Sequence, residues 1–143
     1  MAIRIHKTDY LALVAQAQDG LPQEVCGLIA GQRQGDDQSG DLIIEKIYPL
    51  TNVDASPEHF SLEPREQLAA VKDMRARGLR PLGNYHSHPA TPARPSAEDI
   101  RLALDPAATY LILSLAGAAP VLKAFHIESG QVREEVLTVD EYL

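Results

Sequence analysis

His86 and His88 stand one residue apart, and Asp99 follows eleven positions after His88. In an extended chain, residues i and i+2 point to the same side. Two imidazoles on one face could grip one metal ion at about 2.0–2.1 Å each. An acid brought to the same ion would complete a catalytic-type zinc shell, with the fourth position left for water. Alone, the histidine pair is a weak signal, because surface and core histidines are the usual source of such a pattern. Ser96-Ala-Glu-Asp99 also has a plain structural reading. A serine followed three residues later by an acid forms a helix N-cap box. Asp99 on that first turn is favourable whether it faces the backbone or a metal.

The combination is more telling than either part. Pro89, Pro92 and Pro95 interrupt the connection between the histidines and the helix start. Three fixed φ angles restrict that loop and help preset its geometry. A zinc hydrolase also needs a general base. Glu24 stands where a polar loop enters the apolar run VCGLIAG, although 20 Asp+Glu residues leave other acids to choose from. An exposed loop glutamate is the plain alternative. Cys26 reads as a small buried residue. Asn84 and Tyr85 adjoin the histidines, either supporting them or facing a substrate. His6, His59 and His126 lie far from this stretch and read as structural or surface residues.

The elements that must position these residues follow from periodicity. Ile3–His6 reads as a strand. Thr8 is the expected N-cap of a helix whose apolar face carries Tyr10, Leu11, Val14 and Ala15, ended by Gly20 and Pro22. Val25–Ala30 reads as a buried strand, residues 31–41 as an exposed turn, and Leu42–Leu50 as the hairpin partner. Residues 51–63 form a loop with a short strand around Phe60. Pro64 opens a second helix with Leu68, Ala70, Val71 and Met74 as its stripe, ended by Gly78. Arg80–Tyr85 leads as a strand into the histidines. Ser96–Leu104 is a short helix before Pro106. Tyr110–Leu115, Val121–Ile127 and Gln131–Val139 complete the strands. The expected architecture is an α/β or α+β sandwich, a central mixed and largely antiparallel sheet flanked by helices, in one domain spanning residues 1–143.

The totals set bounds on function. The 143 residues suit one domain with a sizeable core. A single cysteine rules out an intramolecular disulfide and a four-cysteine metal site. It suits a reducing compartment, and the expected location is cytoplasmic. The net charge of −7 argues against nucleic acid or an anionic membrane as the main partner. No leader peptide or convincing membrane span is read. There is no HExxH, and one cysteine excludes the paired-cysteine pattern of zinc nucleobase deaminases.

At this point the residues resemble a known family. His86-x-His88, seven residues, then Ser96-x-x-Asp99 is similar to the JAMM motif of the MPN-plus metalloproteases. PQEVCGLIAG, residues 22–31, resembles that family's glutamate segment. PEHFSLEPREQ, residues 57–67, is similar to the segment between those motifs in the minimal prokaryotic members. The resemblance spans roughly residues 3–127. It implies a cytidine-deaminase-like (JAB1/MPN) fold and a single zinc ion with a bound water. It implies that His86, His88 and Asp99 are the ligands, Glu24 the base and proton shuttle, and Ser96 an oxyanion donor. All five positions hold the expected residue, unlike the catalytically dead MPN-minus class.

The resemblance also implies a substrate. Family members cut peptide or isopeptide bonds after the C-terminal tail of ubiquitin-like proteins. The short prokaryotic type is associated with sulfur carriers ending in Gly-Gly. Such a slim tail could add as a strand beside a sheet edge, with the loops 51–63 and 89–95 as walls. Two other readings stand beside this one. One is a non-catalytic module that binds a ubiquitin-like or assembly partner. The other is a zinc hydrolase of free small amides or dipeptides. The oligomeric state is not read from the sequence.

Overall fold

The structure is a computed structural model and describes residues 1–35 and 40–141. Among these residues, seven strands and three helices follow one another as β1 (Ala2–His6), α1 (Lys7–Gly20), β2 (Cys26–Arg33), β3 (Leu42–Leu50), α2 (Pro64–Arg77), β4 (Arg80–His88), α3 (Ala97–Leu102), β5 (Thr109–Ser114), β6 (Val121–Glu128) and β7 (Gln131–Asp140). Apart from the short strand expected around Phe60, the expected elements are present, and the mix of strands and helices is α+β.

The sheet differs from the expected flanked sandwich. It closes into a ring in the order β1-β3-β2-β4-β5-β6-β7. The cause is β1, which pairs in parallel with β3 on one side and with β7 on the other. Ala2–His6 lie beside Val136–Asp140. Arg4 Nε donates to Asp140 Oδ2 at 2.7 Å across that join. The sheet is mixed and mostly antiparallel, with β4–β5 the third parallel pair. Closure leaves no named strand open along its whole length, although Glu45–Leu50 of β3 and Gln131–Glu135 of β7 pair on one side only.

The burial alternation of β1 turns Ile3 and Ile5 inward. They join Ile29, Leu42, Ile44, Leu82, Tyr85, Leu111, Leu113 and Ala124 in one cluster, to which α1 adds Leu13 and Ala17. The buried face of α1 is therefore Tyr10, Leu13, Val14 and Ala17, whereas Leu11 is 51% exposed and Ala15 is also outside. The N-cap is His6 rather than Thr8: His6 Nδ1 accepts from the Thr8 N–H at 3.1 Å. α2 packs Ala70 and Met74 on Leu28, Ala30 and Leu50 at the outer face of β2 and β3. Leu68, expected in that stripe, is 56% exposed. Gly78 ends α2 in the left-handed region (φ 69°), as a C-terminal glycine does.

Two further expectations are corrected. Gly31–Arg33 continue β2 rather than opening a turn, and residues 36–39 of that turn lie outside the described residues. Phe60 is not in a strand, and among the described residues its loop pairs only through an isolated bridge between Asn52 and Leu62.

Candidate metal centre

β4 runs beyond Tyr85 to His88, so both histidines are strand residues. Tyr85 turns into the ring core and bonds the Gln16 side chain through its hydroxyl. It does not face a substrate. His86 and His88, in the alternate phase, turn to the opposite side together with Asn84. The β2–β4 ladder then brings in Glu24. Cys26 pairs with His86 in that ladder, and continuing its antiparallel register sets Glu24 across from His88. Two bonds fix the junction. The Val25 N–H donates to Ser87 Oγ at 2.8 Å, and the Ser87 N–H donates to the Val25 carbonyl at 3.0 Å. Gly27 permits this approach, because a Cβ there would collide with the Tyr48 carbonyl and the Tyr85 ring.

The proline loop then carries the chain over to α3. Ser114 Oγ donates to the Thr91 carbonyl at 2.6 Å, and Ala93 packs with Ile112 and Phe125 beneath the loop. The next carbonyl, that of Pro92, accepts from His88 Nδ1 at 2.9 Å. The bond fixes the tautomer: Nδ1 carries the hydrogen, and Nε2 keeps a free lone pair. Ser96 caps α3 in a full capping box. Its Oγ accepts from the Asp99 N–H at 3.0 Å, and its own N–H donates to Asp99 Oδ2 at 2.9 Å. The structural reading of Ser96 is therefore correct.

The same Asp99 Oδ2 lies 3.1 Å from His86 Nε2 and 3.2 Å from His88 Nε2, and the two Nε2 atoms are 3.1 Å apart. One ligand atom from each of the three residues thus falls within 4.8 Å of the others, an arrangement that could hold a metal ion. The donor set of two imidazoles and a carboxylate suits zinc, and the locked His88 tautomer aims a lone pair inward. Cys26 is buried away from this group, with Sγ toward the Leu50 carbonyl at 3.7 Å, and burial pushes its thiol up to about 12.

Electrostatics mark the same atoms. Burial alone would raise Asp99, but hydrogen bonds from His86 and His88 hold its carboxyl far below the usual carboxylate range. Complete burial lowers His86, only partly offset by Asp99. Burial also opposes charge on His88, yet its bonds to Asp99 and the Pro92 carbonyl outweigh this and raise it. Glu24 is 6% exposed, and burial pushes its carboxyl up to about 7, against the pull of His88. Its Oε1 is buried with no hydrogen-bond partner among the described residues. The backbone around it is fully tied: the Glu24 N–H donates to the Ser56 carbonyl at 2.8 Å, and Asn52 Nδ2 donates to the Glu24 carbonyl at 3.0 Å.

Several neighbours escape sequence reasoning. Phe60 stacks on the His86 ring with centroids 4.5 Å apart and planes 19° from parallel. His59, read as remote, reaches Glu98 on α3 at 2.7 Å. The Pro92 contribution is a backbone carbonyl, which no residue type announces. His126 is structural: its ring bonds Thr109 and Glu135 within β5–β7.

Residues 6–128 match the family described as prokaryotic homologs of the JAB domain. The CysO-cysteine peptidase of Mycobacterium tuberculosis is 37% identical over 131 residues, covering 91% of this chain and 86% of its own. The desampylase of Haloferax volcanii is 32% identical over 117 residues, covering 73% and 80%. The solution structure of a protein from Desulfitobacterium hafniense is 54% identical and covers 99% of this chain and 94% of its own, with a TM-score of 0.88.

Proposed function

This chain belongs to the family of prokaryotic JAB-domain proteins, and from that premise we propose that it is a zinc-dependent peptidase. Its substrate is the amide bond that follows the C-terminal Gly-Gly tail of a ubiquitin-like sulfur carrier. Residues 1–143 act as one domain in the cytoplasm. Among the described residues no helix is long and apolar enough to cross a membrane, and Cys26 is a free thiol. The relatives named CysO-cysteine peptidase and desampylase support hydrolysis beside a small carrier. The observation that carries the reading is the pairing of a three-ligand cluster with a buried carboxylate, Glu24, whose Oε1 has no partner.

His86, His88 and Asp99 would hold the ion. Bound zinc supplies a Lewis acid and an acidified water. Glu24 takes the proton from the attacking water. Burial raises this carboxyl above the ordinary carboxylate range, which favours holding a proton and handing it on. Its burial keeps bulk water from competing. After attack on the carbonyl, Glu24 returns the proton to the leaving amine. The Ser96 hydroxyl accepts from the Asp99 N–H, while its own hydrogen has no acceptor among the described residues. That hydrogen serves the developing oxyanion, and Ser96 is not a nucleophile. The N–H bond to Pro92 keeps His88 from rotating out of the cluster.

The test joins zinc content by elemental analysis with mass spectrometry of a ubiquitin-like carrier extended beyond Gly-Gly. Zinc-dependent loss of the extension is expected. Zinc and carrier bound tightly without any cleavage would leave a binding module instead, and cleavage of dipeptides alone would leave a small-amide hydrolase.

A further inference from the structure

Asn52 is not part of the three-ligand cluster, yet its side chain is bonded at all four of its hydrogen-bonding positions. Its Oδ1 accepts from the Asp54 N–H at 3.0 Å and from the Ser61 N–H at 3.1 Å. Its Nδ2 donates to the Glu24 carbonyl at 3.0 Å and to the His59 carbonyl at 2.9 Å. A side-chain amide offers two lone pairs and two hydrogens, so this capacity is used in full. The partners also fix its orientation. A flipped amide would set its hydrogens against two N–H groups and its oxygen against two carbonyls.

The loop gathered by these bonds meets the site at three places. The Ser56 carbonyl accepts the Glu24 N–H at 2.8 Å. Phe60 stacks on His86. His59 reaches Glu98, the neighbour of Asp99, at 2.7 Å. The turn that carries Ser56 is strained. Ala55 is held at φ 46°, with its N–H on the Asn52 carbonyl at 3.1 Å. A residue other than glycine stays in that region only where its surroundings over-determine it.

Glu24 needs this loop more than the ligands do. It lies between α1 and β2, outside both, so no ladder of a named strand holds its backbone. Its N–H goes to Ser56 and its carbonyl to Asn52 instead. His86, His88 and Asp99 are held by β4, the Pro92 carbonyl and the Ser96 box, devices that do not involve Asn52. We propose that Asn52 is the positioning residue of the base: it holds the Glu24 backbone, and with it the carboxylate, in register with the metal cluster. The proposal rests on the reading of Glu24 as the base of a peptidase. Asn52 acts through Glu24 and touches no reacting atom.

The experiment compares Asn52→Ala and Asn52→Asp with the parent, zinc-loaded, on a ubiquitin-like carrier extended beyond Gly-Gly. Asn52→Asp keeps an oxygen for the Asp54 and Ser61 N–H groups but turns its second oxygen toward the Glu24 and His59 carbonyls. It therefore separates loop shape from the hold on Glu24. Both variants should keep their zinc by elemental analysis and lose about tenfold to a hundredfold in kcat, with KM little changed. Added to Glu24→Gln, Asn52→Ala should alter the residual rate by less than about twofold, since its effect runs through the base. In metal-free protein the Glu24 amide should exchange its hydrogen about tenfold faster in Asn52→Ala, while amides of β5 and β6 keep their rates. A parental kcat in Asn52→Asp would overturn the proposal. So would a loss of kcat that persists undiminished on top of Glu24→Gln, or an unchanged Glu24 amide. If Asn52→Ala does not fold, Asn52→Asp carries the rate, double-variant and exchange measurements. A parent that cleaves no carrier would remove the peptidase reading and this one together, whereas Asn52 variants as active as a cleaving parent would leave that reading intact.

Discussion

Asp99 Oδ2 accepts the Ser96 N–H at 2.9 Å with the same oxygen that faces both histidines. One atom therefore closes the first turn of α3 and completes the three-ligand cluster. The helix is only six residues long, too short to stand on its own propensity. Its start is held by the box that also aims the carboxylate. The start of the helix and the geometry of the candidate metal site are coupled at this point.

Ser96→Ala should expose that coupling. Loss of the cap is expected to cost about 1 kcal/mol in stability. Loss of the oxyanion donor is expected to lower kcat by about 10²–10³-fold. Ser96→Thr should restore most of both. Denaturant midpoints and steady-state rates on an extended carrier measure the two effects separately. A Ser96→Ala protein with unchanged kcat would reduce Ser96 to a helix cap.

Asp99→Ala removes the carboxylate and should strip the metal. Elemental analysis should find zinc in the parent protein and only background in the variant. Chelation of the parent should abolish cleavage, and added zinc should restore it. The metal-loaded parent should also melt at a higher temperature than the stripped one, because a ligand bound only by the folded state stabilises it.

Glu24→Gln should keep zinc and lose cleavage, by about 10²–10⁴-fold if only proton transfer is removed. A second readout needs no substrate. In metal-free protein the folded Glu24 stays protonated up to about 7, against an ordinary 4.5. Between those values the folded state binds more protons than the unfolded chain, so this group makes stability fall as pH rises. Glu24→Gln cannot ionise and should decline less across the same window. Parallel urea midpoints at the two ends of the window give the difference. Identical slopes for parent and variant would show that Glu24 is not perturbed.

Gly27→Ala tests the β2–β4 junction. The added methyl meets the Tyr48 carbonyl and the Tyr85 ring. Overpacking of this kind costs about 1–3 kcal/mol. Activity should fall further than global stability explains, because Glu24 lies just before the strand that must shift. Thermal melts and single-turnover rates at a fixed folded fraction separate the two.

The convergence of His86, His88 and Asp99 was legible because its information is local. His86 and His88 share a strand face, and Asp99 sits at the third position after a serine cap, so spacing alone brings out the pattern. Glu24 stood out weakly by its place before an apolar strand and more sharply by the family resemblance, but its position opposite His88 depends on a ladder between distant strands. The helix phases were half right. Leu11, Ala15 and Leu68 fit an apolar stripe by count, yet the ring offers α1 and α2 a rotated contact line, and those side chains face outward. His6 displaced Thr8 as a cap because an imidazole nitrogen can accept as a hydroxyl does. Phe60 over His86 and the Pro92 carbonyl under His88 arise from loop folding, which leaves no periodic trace.

The closed ring has a consequence in time. Its last join sets Ala2–His6 against Val136–Asp140, and Arg4 and Asp140 are bonded across 136 positions of chain. Pairings so distant form slowly, because a long loop must be gathered before they contribute. A growing polypeptide halted before Val136 already carries Glu24, His86, His88, Ser96 and Asp99. It lacks the residues that pair with β1 and close the ring. Closure of the ring is thus the most non-local step of folding, and it waits on the residues that pair with β1.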